Sequence, residues 1–199
     1  MVEINTNWTD TAERCKRRLT QVRLEALARQ LKVTTKSLQD LDVDWSEDDH
    51  AYTFPERDGA GNIIGLLRRF RDGTKRVIKR SRRGLYLPRG WQDSFGPLYI
   101  PEGASDVAAL LSHGLRAVGR PSCTGGVRYL CDLLIGTADE ILVVGENDRK
   151  EDGRWPGRDG AKKVAATLAG KLGSRVRSTM PPDGYKDVRE YLTKEVFHV

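Results

Sequence analysis

The chain has 199 residues, 38% hydrophobic and 31% charged, which suits one or two small domains with a real core and excludes a disordered polymer. Its longest apolar runs, such as Ile141-Leu142-Val143-Val144, are far too short for a bilayer, and residues 1–14 lack the apolar stretch of a secretory leader. Net charge is +6; the three cysteines form no Cys-x-x-Cys pair and His50, His113 and His198 lie far apart, which argues against a disulfide framework or zinc ribbon and for a reducing, cytoplasmic setting.

Residues 9–31 predict a helix, with Thr9 or Asp10 as cap and Leu19, Val22, Leu24, Leu27, Ala28 and Leu31 at roughly helical spacing. A second, short helix is predicted to begin after Val33-Thr34-Thr35 and to run through Ser37-Leu38-Gln39-Asp40-Leu41. Two such helices could form a helix-turn-helix. The acidic stretch 40–49 that follows at once would repel DNA phosphates, so a helical hairpin packed on the next domain is the better reading. Residues 1–50 are thus an N-terminal helical segment.

Residues 51–96 predict a smaller, basic β subdomain. Residues 52–55 are extended, 58–62 form a turn, and strands over 63–70 and 76–79 are joined by the hairpin signal Asp72-Gly73. Between Arg68 and Arg89 lie ten basic residues and one acid, a net +9, against −3 for the rest of the chain. Such density points to a polyanion, most simply nucleic acid; the alternative is a solvated face or a site for one anion.

Residues 97–199 change to alternating β and α. Strands are predicted at 98–100, 117–119, 140–145 and 175–178, with helices at 105–113, 126–135, 159–172 and 187–194. This rhythm implies an α/β domain whose parallel sheet has helices on both faces, with ligands at the carboxyl ends of the strands. Glu102, Glu146, Asp148 and Asp187 all follow predicted strands and can gather at one edge. Crowded carboxylates need a cation to stay ionised, and hard oxygen ligands suit Mg²⁺ or Mn²⁺. Singly, each has an ordinary alternative: a turn acid at a helix start, a surface acid pair, or, for Asp187, the N-cap of the last helix.

The stretch Ile100-Pro101-Glu102-Gly103-Ala104-Ser105-Asp106 resembles the first motif of the Toprim domain. Val143-Val144-Gly145-Glu146-Asn147-Asp148 resembles that family's Asp-x-Asp motif, and Gly160-Ala161-Lys162-Lys163 the helix after it. Gly184-Tyr185-Lys186-Asp187 is similar to the ending of primase Toprim domains. Upstream, Phe54-Pro55-Glu56-Arg57-Asp58-Gly59-Ala60-Gly61-Asn62-Ile63-Ile64-Gly65 and Lys79-Arg80-Ser81-Arg82-Arg83-Gly84-Leu85-Tyr86 resemble the part of DnaG-type and phage primases that holds template and incoming nucleotide.

The resemblance implies a metal-dependent primase core that makes short primers from nucleoside triphosphates on single-stranded DNA. A replicative helicase is a further implied partner, and no membrane is involved. Glu146, Asp148 and Asp187 would hold Mg²⁺ or Mn²⁺, and Glu102 would ligate metal or act as general base. Arg68, Lys79, Arg80, Arg82, Arg83, Arg154, Arg158 and Lys186 would bind nucleic acid or nucleotide. Two alternatives remain: a Toprim nuclease using the same acids, and a non-catalytic nucleic-acid-binding module of a replication assembly.

Three features depart from the family pattern. Glu146 replaces the first Asp of the pair, residues 149–157 look like an inserted loop, and the cysteines do not form the zinc module that often precedes primase cores. A partner is expected to supply that module's function, or start-site choice to be loose. The insertion holds Arg149, Lys150, Arg154, Trp155 and Arg158, which could clamp a triphosphate or stack on a base, with Trp155 equally able to pack as a structural residue.

Overall fold

The computed structural model describes residues 8–16, 18–137, 139–173 and 175–195. His198 and the first seven residues of the leader expectation lie outside them.

Helices α1 (Trp8–Lys16), α2 (Gln21–Leu31) and α3 (Thr35–Asp40) open the chain. The single helix predicted over 9–31 is two helices. Thr20 takes extended backbone and its side chain accepts from the Arg23 N–H, so a new helix is capped there. Thr34 caps α3 in the same way through the Ser37 N–H. Leu24, Leu27, Ala28 and Leu31 form the buried stripe of α2.

Four strands follow: β1 (Asp44–Ser46), β2 (Ala51–Arg57), β3 (Ile63–Arg69) and β4 (Lys75–Val77), an antiparallel meander in chain order. The acidic stretch 40–49 therefore contains a strand, and the β1–β2 pairing crosses residue 50. The turn at 58–62 is tied by Asp58 Oδ1, which accepts from the Ala60 and Asn62 N–H groups. In the β3–β4 hairpin Gly73 has φ of +88°, a value that favours glycine.

The second sheet has three parallel strands, β5 (Leu98–Ile100), β6 (Ile141–Val144) and β7 (Val176–Thr179), in that order. Around it lie α4 (Ala104–Ser112), α5 (Val127–Leu134), α6 (Pro156–Leu172) and α7 (Val188–Glu195). Residues 117–120 run beside β5 through isolated bridges at Tyr99–Ala117 and Glu102–Arg120 rather than as a full strand.

Strand alternation divides the apolar side chains between two cores. Leu98, Ile100, Ile141 and Val143 pack with Leu130, Leu134, Val164 and Leu168 of α5 and α6. Val144 packs with Val107, Ala108 and Val188 of α4 and α7 in a cluster that also holds Leu27, Leu31, Leu38, Phe54 and Leu67. Each such fully buried side chain contributes about 1.5–3 kcal/mol. The N-terminal helices and the antiparallel sheet thus share a core with the α/β half. Polar contacts reinforce it: the Thr34 N–H donates to Ser112 Oγ at 2.9 Å, and Ser112 Oγ donates to Ser37 Oγ at 3.1 Å.

Candidate active site

Glu102 follows β5 after Pro101. Gly103, with φ of +81°, then turns the chain into α4. In the first turn of α4, Asp106 is only 4% exposed. Glu146 and Asp148 follow β6. Asp148 Oδ1 accepts from the Gly157 N–H at 2.8 Å, which ties it to the start of α6, and Lys150 Nζ lies 3.5 Å from its other oxygen. The expected insertion 149–157 accordingly ends inside a helix: Trp155 is its N-cap and Pro156 its first residue, a favoured proline position.

Asn147 brings the last acid into place. Its backbone N–H donates to Lys186 O at 2.7 Å, and its side-chain amide donates to Pro181 O at 3.1 Å and Tyr185 O at 2.9 Å. The 181–186 loop is thereby pinned to the end of β6, with Asp187 just beyond. Asp187 Oδ1 accepts from the Glu190 N–H at 2.7 Å, so this residue does cap α7; its second oxygen lies 3.8 Å from Arg189 Nη2.

These carboxylates act on one another. Burial, then Glu102, Asp187 and Asp148, push Glu146 up to about 7, with Lys186 opposing. Burial also raises Glu102, and Asp148 adds to it while Arg120 and Lys75 oppose. Asp106 is raised well above its ordinary range by burial first, then by Asp187 and Glu146. Five acids thus share one field at the carboxyl edge of the parallel sheet.

Arg120 lies beneath them with no exposure at all. Its Nη1 donates to Ser122 O at 2.8 Å and lies 3.7 Å from Glu102 Oε2, and its Nη2 donates to Val144 O at 2.7 Å. One guanidinium therefore joins the ends of β5, the 117–120 segment and β6. Among the described residues no three His, Cys, Asp or Glu side chains stand close enough to hold an ion as they are. The donor chemistry still fits Mg²⁺ or Mn²⁺: hard oxygens, crowded and mutually repelling, of which Mg²⁺ needs only one or two beside water and phosphate.

The opposite wall of the cleft is basic. A cavity of about 260 Å³ is lined by Glu102 and Glu146 on one side and by Arg69, Lys75 and Arg83 on the other. Arg69 and Lys75 are cross-strand partners in the β3–β4 hairpin. Desolvation, then Arg69, lower the Lys75 pKa, with Asp106 and Glu146 opposing, although much of its side chain is open to the cleft. Arg69, Lys75, Asp106, Asn147 and Arg120 were not among the expected site residues, although Asp106 and Asn147 stand inside the quoted motifs and Arg69 and Lys75 inside the basic run; the alternation of β3, which places Arg69 opposite Arg68, is the signal for Arg69.

The other expected basic residues are dispersed. Arg68 pairs with Asp49, away from the cleft lining. Lys79 and Arg80 are exposed just beyond β4. Arg82 lines a separate depression with Arg128, Tyr129 and Asp132. Arg154 pairs with Asp152 at 2.6 Å; Arg158 pairs with Asp159 at 3.2 Å and covers the Trp155 ring at 5.1 Å. Among the described residues no helix is long and apolar enough to cross a membrane.

No protein-family model matches the chain, and no curated protein matches it. Solved structures do. The E. coli primase catalytic core matches at 18% identity, over 94% of this chain and 74% of that one, with a TM-score of 0.67. A DnaG primase catalytic domain bound to single-stranded DNA matches at 18%, 94%, 73% and 0.67 in the same order. The primase fragment of the bacteriophage T7 primase-helicase protein matches at 16%, 81%, 66% and 0.55. The chain thus has the fold of a primase catalytic core. More particularly, that fold is the one of the DnaG catalytic core.

Proposed function

We propose that this chain is a DNA primase-type nucleotidyltransferase that makes short primers from nucleoside triphosphates on a single-stranded DNA template. The observation that supports it most is the facing of an acidic cluster and a basic wall across one cleft, within a fold otherwise seen in primase cores.

The reaction is attack of a 3′-hydroxyl on the α-phosphate of a triphosphate, with pyrophosphate leaving. Arg69, Lys75 and Arg83 bind and orient the polyphosphate, whose charge complements theirs. Glu102, whose pKa burial raises while Arg120 opposes, is the acceptor of the hydroxyl proton or a further metal ligand in this reading. Glu146, Asp148 and Asp187 are the residues that would hold Mg²⁺ or Mn²⁺, which supplies neutralisation of phosphate charge. Lys79 and Arg80 offer exposed cations to the template, and Arg68, Arg82, Arg154, Arg158 and Lys186 are further basic contacts at separate places on the chain.

The proposed functional units are the N-terminal segment 1–50, helical up to its strand β1, which pairs with β2 of the basic β subdomain 51–96, and the Toprim domain 97–199. A replicative helicase is the proposed protein partner, in line with the T7 neighbour's primase-helicase protein, and the proposed setting is cytoplasmic. The test is incubation of single-stranded template, labelled triphosphates and Mg²⁺ or Mn²⁺. Short oligomers support primer synthesis. Template cleavage without triphosphates supports the nuclease, and binding alone supports the non-catalytic module.

A further inference from the structure

Glu56 lies on β2, across the cleft from the acidic cluster, and is completely buried. A carboxylate so placed persists only when its oxygens are paired. Its Oε1 and Oε2 accept from Arg83 Nε at 2.8 and 3.0 Å, and Oε1 also accepts from the buried Tyr86 hydroxyl at 2.8 Å. Arg83 Nη2 donates to Pro121 O at 2.8 Å, in the loop that follows the Arg120 segment. Arg83 thus bridges the two halves of the chain while its side chain remains 42% exposed on the cleft wall. Its Nη1 makes no hydrogen bond among the described residues.

A guanidinium has five N–H donors in a fixed plane. Here Nε and Nη2 are committed to protein oxygens, which fixes the plane and leaves the Nη1 donors for a ligand. Binding then needs no further ordering of a long, flexible side chain. The cleft also presents Lys75 and Arg69, so the group that fits is a compact, multiply charged oxyanion.

We propose that Glu56, assisted by Tyr86, is a positioning residue that presents Arg83 as a receptor for a phosphate of the incoming polyphosphate chain. This inference rests on the nucleotide-binding cleft of the proposed function and assigns the cation that is fixed in advance. Burying Glu56 beside Arg83 lowers the local positive potential, so attraction alone does not account for its presence; orientation does.

The sign of one substitution separates the two effects. Inorganic tripolyphosphate, titrated calorimetrically into the full chain without metal, is the ligand. Glu56→Gln removes a negative charge, so a purely electrostatic residue would make binding tighter. Positioning predicts binding weakened by about tenfold, a ratio equivalent to about 1.4 kcal/mol. Arg83→Ala should weaken it at least as much, and the double variant should be no weaker than Arg83→Ala alone, since the two act through one group. Tyr86→Phe, which keeps the charge and removes one hydrogen bond, should give a loss of about two- to threefold, and it serves if Glu56→Gln does not fold. If wild type fails to bind tripolyphosphate, the nucleotide cleft itself is overturned. If wild type binds and Glu56→Gln binds as tightly or more tightly, or Arg83→Ala binds like wild type, this inference alone is overturned.

Discussion

A Cβ atom at Gly157 would stand 2.7 Å from Asp148 Oδ1, closer than side chains tolerate, because the Gly157 N–H donates to that same oxygen. The start of α6 and the acid after β6 are therefore fitted to each other, and the fit requires glycine. Gly157→Ala should displace Asp148 and lower stability by about 1–3 kcal/mol, as overpacking does. Gly170 lies on the same helix with open space around it, so Gly170→Ala should instead stabilise by about 0.5–1 kcal/mol. Melting temperatures of the two variants, with Mn²⁺ affinity of the first, check this. Equal effects of the two substitutions would show that the contact is slack.

The raised carboxylates predict a pH-dependent stability. Glu146 has an ordinary value of 4.5 and a folded value of about 7, raised chiefly by burial and then by Glu102. Between those values the folded chain holds a proton that the unfolded chain has lost. Stability should fall as pH rises from 4.5 to 7 and then level off for this group. Glu102 and Asp106 act in the same direction. A divalent cation favours the ionised form, so Mg²⁺ should raise the melting temperature more at pH 8 than at pH 5.5. In metal-free buffer Glu146→Gln should flatten the pH dependence. An Mg²⁺ effect independent of pH would remove Glu146 from the cation site.

Lys79 and Arg80 are exposed beyond β4, outside the cleft lining, and suit a template strand rather than a triphosphate. For single strands the slope of log K against log salt changes by about 0.7 per phosphate contact. Replacing both by Ala should flatten the slope by up to about 1.4 and leave tripolyphosphate binding unchanged. Stability should change little, since exposed charges contribute little to it. An unchanged slope would make this edge a solvated face.

From residue 51 on, the order of strands, helices and acids was legible apart from the 117–120 segment, because each depends on local pattern. Buried apolar runs marked β5 and β6, and Glu102, Glu146 and Asp148 follow them within four residues. What was not legible depends on register and long-range contact. Arg68 and Arg69 are equivalent as sequence; which one faces the cleft is fixed by the pairing of β3 with β4. Arg120 reads as a surface charge until the ends of β5 and β6 close over it. Nothing near Glu56 in sequence marks it as buried; Arg83 and Tyr86, 27 and 30 residues on, explain its burial. The break at Thr20 was missed because apolar spacing continues through it, while the cap is a side-chain-to-backbone bond.

In the proposed reaction the Asp148 cluster joins nucleotides along a template that other residues hold. The most direct measurement is primer synthesis by wild type and Asp148→Ala, with single-stranded DNA affinity measured on the same preparations. Wild type should yield short oligomers that require template, triphosphates and divalent metal. Asp148→Ala should yield none while binding DNA as tightly or slightly more tightly, because it removes a negative charge. Synthesis by Asp148→Ala at the wild-type rate, or tight DNA binding by wild type with no product, would contradict it.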